Sequence, residues 1–281
     1  MKIEKTKATG FCYGVKRAID ILEKVCRERG EVETLGAVVH NQQVLKRLAD
    51  IGVKVADSVE DIEGKAVAIS SHGVAPEVEA EIKERQIDIV DTTCPFVHRL
   101  QTAARRLAKA GFLVVIYGDA GHTEVRGVLG FAEGKGVATL DEKVITGMEP
   151  LPRRIGVLSQ TTQIPADFVE FVKKLVDGAF SRDSELRVID TICHDIRERQ
   201  AQALKLAERV DLMLVIGGHG SANTNRLAEL CAAVTETHLV ETAADIEPGW
   251  FEGKQKIGVT SGASTAEATI DQVLARLEKL A

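Results

Sequence analysis

Short apolar runs alternate with longer amphipathic stretches along the chain. LVVIY from Leu113 and LMLVI from Leu212 are continuous apolar runs bounded by glycine and polar residues. Runs of that length and composition predict strands buried on both faces. Three longer stretches carry helical spacing instead. Val15, Ala18, Ile19, Leu22, Val25 and Cys26 mark one face, with Gly30 as a stop. Val97, Leu100, Ala104 and Leu107 mark a second, closed by Gly111, and Ile196, Ala203, Leu204, Ala207 and Val210 mark a third. Apolar residues three and four apart line one side of a helix.

The pattern repeats. Each helical stretch directly follows a cysteine: Cys12 in ATGFC, Cys94 in DTTC and Cys193 in DTIC. After each helix comes a strand ending in glycine or polar residues: VETLGAVVHN, LVVIYGDAGH and LMLVIGGHGS. Further on comes another: KAVAISSHG, RIGVLSQTT and KIGVTSGAS. In two of the units a last strand, IDIVD or LRVID, then leads to the next cysteine. The third unit lacks a closing cysteine, and Cys12 at the start of the chain is placed to supply it. Strands alternating with helices predict a parallel α/β architecture. The expected organisation is three similar small parallel-sheet α/β lobes, 13–95, 96–192 and 193–281, the last completed by residues 1–12. Functional groups in such sheets gather beyond the strand carboxyl ends. Three units facing one centre would bring the three thiols together; three sheets stacked without a shared centre are the alternative.

Composition narrows the setting. The 281 residues are 44% hydrophobic and 28% charged, with a formal net charge of −6. That balance argues against non-specific nucleic-acid binding. No run is long enough to span a bilayer, and MKIEKTKATG holds no apolar secretory core, so a cytoplasmic protein is expected. Five cysteines in a reducing compartment are then buried, catalytic or metal-bound, not a disulfide frame. Cys26 and Cys231 fall on apolar helix faces and read as small buried hydrophobes. Cys12, Cys94 and Cys193 sit at element boundaries, where helix N-termini favour thiolate. Three thiolates without an obvious fourth leave two options open. One is zinc, with His98 or His194 or a water as fourth ligand, although both histidines read better as helix-surface residues. The other is an iron–sulfur cluster with one iron free of protein.

His40, His72 and His122 each follow a predicted strand, in what read as equivalent places of the repeat. Imidazoles there can hold an anion or move a proton near neutral pH. Thr161 and Thr162 in SQTT, Ser221 and Asn223 in GSANTN, and Ser264 in SGAS lie at other strand ends. Hydroxyls, amides and glycine-rich backbone before a helix suit a phosphate, while helix capping is the plainer use of each alone. GGHGSANTN lacks the dinucleotide spacing. Glu124, two residues after His122, is a surface helix carboxylate or, if buried, a proton donor.

Taken in order, GFCYGVKRAI, VVHNQQV, SSHGV, DTTCP, GHTEVRG, SQTT, DTIC, SANTNRL and TSGAST resemble the 4-hydroxy-3-methylbut-2-enyl diphosphate reductase family along almost the whole chain. The resemblance implies three lobes in a pseudo-threefold, trefoil-like arrangement around a [4Fe–4S] cluster. It implies Cys12, Cys94 and Cys193 as ligands, with one iron left open. His40, His72, His122, Thr161, Ser221, Asn223 and Ser264 would contact the substrate, and the backbone N–H of Ala222 would stand in for a hydroxyl where the family commonly has serine. Glu124 would supply the proton, with Thr161 and His122 beside it in the catalytic set. The implied reaction is reductive dehydroxylation of the allylic diphosphate to isopentenyl and dimethylallyl diphosphate. A ferredoxin or flavodoxin would donate the electrons, with no nucleic-acid or membrane partner. Thr123 and Ala266 replace prolines often seen in the family, which alters loop rigidity only. A non-catalytic iron–sulfur sensor and a zinc-dependent phosphate-ester hydrolase are the competing classes.

Overall fold

A computed structural model describes residues 1–39, 41–179 and 184–280. The chain opens with β1 (Lys2–Lys5) and α1 (Tyr13–Arg29), then β2 (Val32–Leu35), α2 (Gln42–Asp50), β3 (Val53–Ala56), β4 (Ala66–Ile69), α3 (Pro76–Glu84) and β5 (Asp88–Asp91). Next come α4 (Pro95–Lys109), β6 (Leu113–Tyr117), α5 (Thr123–Gly130), β7 (Gly136–Thr139), α6 (Lys143–Thr146), β8 (Arg154–Ser159), α7 (Pro165–Ala179) and β9 (Glu185–Val188). The last stretch holds α8 (His194–Ala207), β10 (Leu212–Ile216), α9 (Ala222–Ala232), β11 (Glu236–Val240), β12 (Lys256–Ser261) and α10 (Glu267–Glu278).

These strands form three parallel-sheet α/β lobes. The four-stranded sheets run β3-β2-β4-β5, β7-β6-β8-β9 and β11-β10-β12-β1, so the same connectivity recurs three times. All pairings are parallel. β1 pairs with β12 from Lys2↔Lys256 to Lys5↔Val259. It thus occupies the place that β5 holds beside β4 and β9 holds beside β8, and it leads to Cys12 as they lead to Cys94 and Cys193. The edge strands β3, β7 and β11 escaped the sequence reading. Their burial is partial or uneven, so they carry no continuous apolar run.

The central strands are buried as their composition requires. Val114, Val115 and Ile116 of β6 and all of β10 are closed to solvent. Leu100, Ala104 and Leu107 of α4 pack with Val114, Ile116, Val125, Val128 and Leu158. Truncating one such leucine to alanine costs about 2–5 kcal/mol. Pro95 at the first turn of α4 lacks an N–H that the helix start could not pair, so the helix begins directly after Cys94. Cys26 and Cys231 are buried, as expected of small hydrophobes.

By contact the chain divides into two compact units. One comprises Met1–Ile19, Val39–Ile51 and His194–Ala281; the other comprises Asp20–Val38 and Gly52–Cys193. Among the described residues, no helix is long and apolar enough to cross a membrane.

Candidate functional site

In the unit that holds β2 to β9, the loops beyond β4, β6 and β8 carry most of the candidate side chains. Glu124 lies in the first turn of α5 and is buried, with 2% of its surface exposed. That removes the surface-carboxylate reading. Its Oε2 accepts from the Thr161 hydroxyl at 2.6 Å, and its Oε1 accepts from the Thr161 N–H at 2.7 Å. The carbonyl of Thr161 accepts from the Cys193 N–H at 2.9 Å. His122 caps α5, its Nδ1 accepting from the Glu124 N–H at 3.2 Å, which leaves Nε2 on the far side of the ring. The His72 ring meets the His122 ring edge-on, with centroids 5.6 Å apart and planes at 81°.

Backbone economy brings these groups together. Gly127 and Gly130 line the face of α5 turned toward the loop after β4. A Cβ on Gly127 would come within 3.4 Å of the Val74 backbone, and one on Gly130 within 2.6 Å of the Ala75 Cβ. Gly73, beside His72, has φ +70°, and a Cβ there would stand 2.5 Å from Gln101 Nε2. A left-handed backbone with no room for a methyl restricts that position to glycine. Gln160 Oε1 accepts from the Asp119 N–H at 3.2 Å and from Gln163 Nε2 at 3.0 Å, tying the loop after β6 to the loop after β8. The sequence reading quoted Gln160 but gave it no role. A polar amide at the end of an apolar strand, just before the two threonines of SQTT, was the available signal.

The three histidines are not equivalent, contrary to expectation. His72 follows β4, the third strand of its lobe, as Thr161 follows β8. His122 follows β6, the first strand of the next lobe. Both nonetheless meet ring edge to ring, although their strands belong to different sheets. His40 lies outside the described residues. His98 is on the exposed face of α4, bonded to Asp91 and Gln101, and His194 opens α8.

Each candidate cysteine immediately precedes a helix: Cys94 caps α4, Cys193 precedes α8 and Cys12 precedes α1. The Cys94 N–H donates to the Ser71 carbonyl at 3.0 Å. Among the described residues, no three His, Cys, Asp or Glu side chains are grouped to hold a metal ion.

In the other unit, Cys12 is held by its own backbone. Its N–H donates to the Ala263 carbonyl at 2.9 Å, and the Gly10 N–H donates to Ser261 Oγ at 3.0 Å. α8 clamps the same segment. Arg199 donates to the Ala8 carbonyl at 3.2 Å and to the Ser261 carbonyl at 3.5 Å, and Asp195 accepts from the Tyr13 N–H at 3.1 Å. Burial pushes the Cys12 thiol up, against the Val15 N–H and the Arg199 guanidinium. Arg199, buried in this segment's anchorage, was another residue the sequence reading passed over.

Ser221 caps α9, its hydroxyl accepting from the Thr224 N–H at 3.4 Å. Ala222 begins the helix, and Asn223 follows within its first turn. Asn223 Nδ2, Thr224 Oγ1 and Ser264 Oγ are buried with no hydrogen-bond partner among the described residues. Asn223 and Thr224 begin the helix after β10, and Ser264 follows β12, its neighbour in the sheet. Buried polar groups left without a partner cost about 1–3 kcal/mol each. A Cβ on Gly217 would come within 2.8 Å of Thr224 Oγ1, so the loop after β10 also needs its glycine.

Comparison with known proteins identifies the family. The family model for the LytB protein matches residues 3–278. A 4-hydroxy-3-methylbut-2-enyl diphosphate reductase from Dehalococcoides mccartyi strain CBDB1 is 58% identical over 280 residues, covering 100% of this chain and 99% of its own. One from Geobacter metallireducens is 40% identical over 281 residues, covering 100% and 98%. The solved structure of (E)-4-hydroxy-3-methyl-but-2-enyl diphosphate reductase, described as the terminal enzyme of the non-mevalonate pathway, is 35% identical. It superposes with TM-score 0.71 over 99% of both chains. The E-1-hydroxy-2-methyl-but-2-enyl-4-diphosphate reductase structure from Plasmodium falciparum, 24% identical, shares the fold with TM-score 0.92 over 98% of this chain and 87% of its own. With near end-to-end coverage at these identities, the chain belongs to the LytB family.

Proposed function

We propose that the protein is a 4-hydroxy-3-methylbut-2-enyl diphosphate reductase. It would convert the allylic alcohol diphosphate, with two electrons and two protons, into isopentenyl or dimethylallyl diphosphate and water. The observation that carries the reading is the buried Glu124–Thr161 pair beside the His72–His122 pair. A buried carboxylate engaged by a hydroxyl is a proton-handling device, and an iron–sulfur sensor has no use for one.

Cys12, Cys94 and Cys193 fit a [4Fe–4S] cluster by their chemistry: three thiols, each at a helix N-terminus, where developing thiolate is favoured. When bound, the cluster would supply electrons and an open iron as Lewis acid. The cysteine-bearing ends of β5, β9 and β1 correspond in the three sheets, in keeping with lobes at 13–95, 96–192 and 193–281 plus 1–12.

The chain's own residues would do the rest. Ser221, Asn223, Ser264 and the Ala222 N–H would bind the diphosphate, the first turn of α9 supplying dipole and donors. The partnerless Asn223 Nδ2 and Ser264 Oγ support that role. His40, His72 and His122 would complete the anion pocket. Glu124 would deliver its proton to the departing hydroxyl, so that oxygen leaves as water. Thr161 keeps the carboxylate aimed and can pass a proton, since a hydroxyl both donates and accepts. Fixing the diphosphate orients the hydroxyl toward that acid, a proximity effect.

The test is anaerobic turnover of (E)-4-hydroxy-3-methylbut-2-enyl diphosphate by reconstituted protein with reduced methyl viologen. Formation of both five-carbon diphosphates is expected. Brown, iron- and sulfide-loaded protein without turnover would favour a sensor, and colourless protein with stoichiometric zinc a hydrolase.

A further inference from the structure

The α4 helix carries His98, Arg99, Arg105, Arg106 and Lys109 and no acidic residue, in a chain whose net charge is −6. A groove of about 520 Å³ lies along this helix, with Arg99, Arg106 and Arg187 among its lining. Pro95, Leu107 and Ile189 give it an apolar component. Arg99, Arg106 and Arg187 are all solvent-exposed. Two of these cations are already held in place. Arg99 donates to the Asp190 carbonyl at 3.4 Å, and Arg187 pairs with Glu185 at 2.7 Å while standing 4.5 Å over the Phe112 ring. The Arg106 side chain makes no ion pair or hydrogen bond among the described residues, so its charge is available to a visitor.

The groove also lies next to two candidate cluster ligands in the chain. Pro95 and Arg99 follow Cys94 on the helix that Cys94 caps. Ile189 begins the segment IDTIC that ends at Cys193, and the Arg99 bond to Asp190 closes the gap between the two motifs. Basic rim, apolar patch and closeness in the chain to two thiols go together here.

We propose that this groove docks an acidic one-electron carrier protein. The proposal rests on the reductase reading, which requires two electrons from outside the chain. Each docking would oxidise the carrier by one electron, and two dockings would supply the pair that reduces the C–O bond, with Glu124 and solvent supplying the protons. A small, weak, electrostatically steered contact is what such redox encounters use. A nucleic acid fits less well, because the chain's net charge of −6 works against a long polyanion that extends past this short groove.

The probe is a purified acidic flavodoxin, and the primary readout is its Kd for the cluster-loaded protein. Arg106→Glu is expected to weaken binding roughly tenfold or more at low salt and to flatten its salt dependence. Turnover driven by reduced methyl viologen, a small cation with no need of the groove, is expected to stay within about twofold of wild type. An unchanged flavodoxin Kd overturns the proposal. So does a heparin or DNA oligonucleotide that binds more tightly than flavodoxin with the same Arg106 dependence. If Arg106→Glu also loses viologen turnover, the milder Arg106→Gln decides: a Kd weakened roughly threefold with viologen turnover intact supports the groove, and equal loss in both assays overturns it. Wild-type protein that binds flavodoxin but turns over with neither donor would remove the reductase reading and leave the docking result standing.

Discussion

Thr161 addresses Glu124 twice, through its hydroxyl at 2.6 Å and its backbone N–H at 2.7 Å, and its carbonyl receives the Cys193 N–H at 2.9 Å. One residue therefore joins the buried carboxylate to the turn that presents a candidate cluster ligand. The carboxylate is held by two donors on two oxygens, which leaves it little rotational freedom. A short hydroxyl–carboxylate contact of this kind is among the stronger hydrogen bonds a protein makes.

Replacing Glu124 by Gln keeps the shape and removes the acid. It also turns an NH2 group toward one of the Thr161 donors, so a modest loss of stability is expected as well. Turnover should fall by about 10²–10⁴-fold, the usual worth of a positioned acid. Iron and sulfide content should match wild type. Anaerobic viologen assays with parallel metal analysis check both, and near-normal turnover would take Glu124 out of the acid role.

Thr161→Val separates aiming from acidity. The hydroxyl is lost while size and backbone N–H stay, so one Glu124 oxygen is left buried without its donor. Stability should drop by about 1–3 kcal/mol, the cost of an unsatisfied buried group. Turnover should fall by a smaller factor than in Glu124→Gln, and Thr161→Ser should restore most of it. A serine variant as impaired as the valine one would place the effect in packing, not in the hydroxyl.

Much of this arrangement is legible in the chain. The three cysteine–helix junctions follow from periodicity, because α1, α4 and α8 each begin at the residue after a cysteine. The place of Cys12 as the third unit's missing cysteine followed from counting what the repeat lacked, but β1, a charged KIEK edge strand, carried no apolar run to announce it. The pairing of Glu124 with Thr161 was not legible as a contact. The two are 37 residues apart, and only the register of β6 beside β8 brings their loops together. The difference between His72 and His122 was hidden for a related reason. Similar strand endings say that a residue follows a strand, but not which strand of the sheet order it follows. Edge strands such as β7, half-buried throughout, carry too little apolar pattern to stand out.

Gly73→Ala probes the loop that carries His72. The position combines φ +70° with a Cβ site 2.5 Å from Gln101 Nε2 and 3.1 Å from Thr93 Cγ2. Strain from the left-handed backbone adds about 1 kcal/mol or more, and the contacts add further cost. Thermal or urea unfolding should show a loss of about 1–3 kcal/mol. KM for the allylic diphosphate should rise as His72 shifts from its contact with His122. Unaltered stability would mean the loop relaxes freely.

Cys12→Ser tests the least obvious of the three ligand assignments, since Cys12 lies far in sequence from the other two. Serine keeps the size and leaves the Ala263 and Arg199 anchorage of the segment intact. Reconstituted protein should carry well under the wild-type iron and sulfide, with its visible absorbance bleached, while far-ultraviolet circular dichroism stays unchanged. A fully loaded, active variant would contradict the assignment.

Cys231 offers a prediction independent of any cofactor. It is fully buried in α9 against Leu206, Met213 and Val215, and burial raises its thiol from 9.0 to about 12. Below pH 9 the thiol is protonated whether the chain is folded or not, so it contributes no slope there. Above it the unfolded chain releases the proton and the folded chain retains it. Stability must then fall as pH rises, by at most about 1.4 kcal/mol per pH unit until the folded value is reached. Cys231→Ala removes that slope while losing a small amount of packing. Wild type should therefore be the more stable protein at pH 8, and the difference should move by about 2 kcal/mol in favour of the alanine variant by pH 10.5, enough to cancel or reverse it. Urea midpoints of the two proteins across that range decide it. Curves that stay parallel would mean the α9 core opens to solvent before the thiol has to give up its proton.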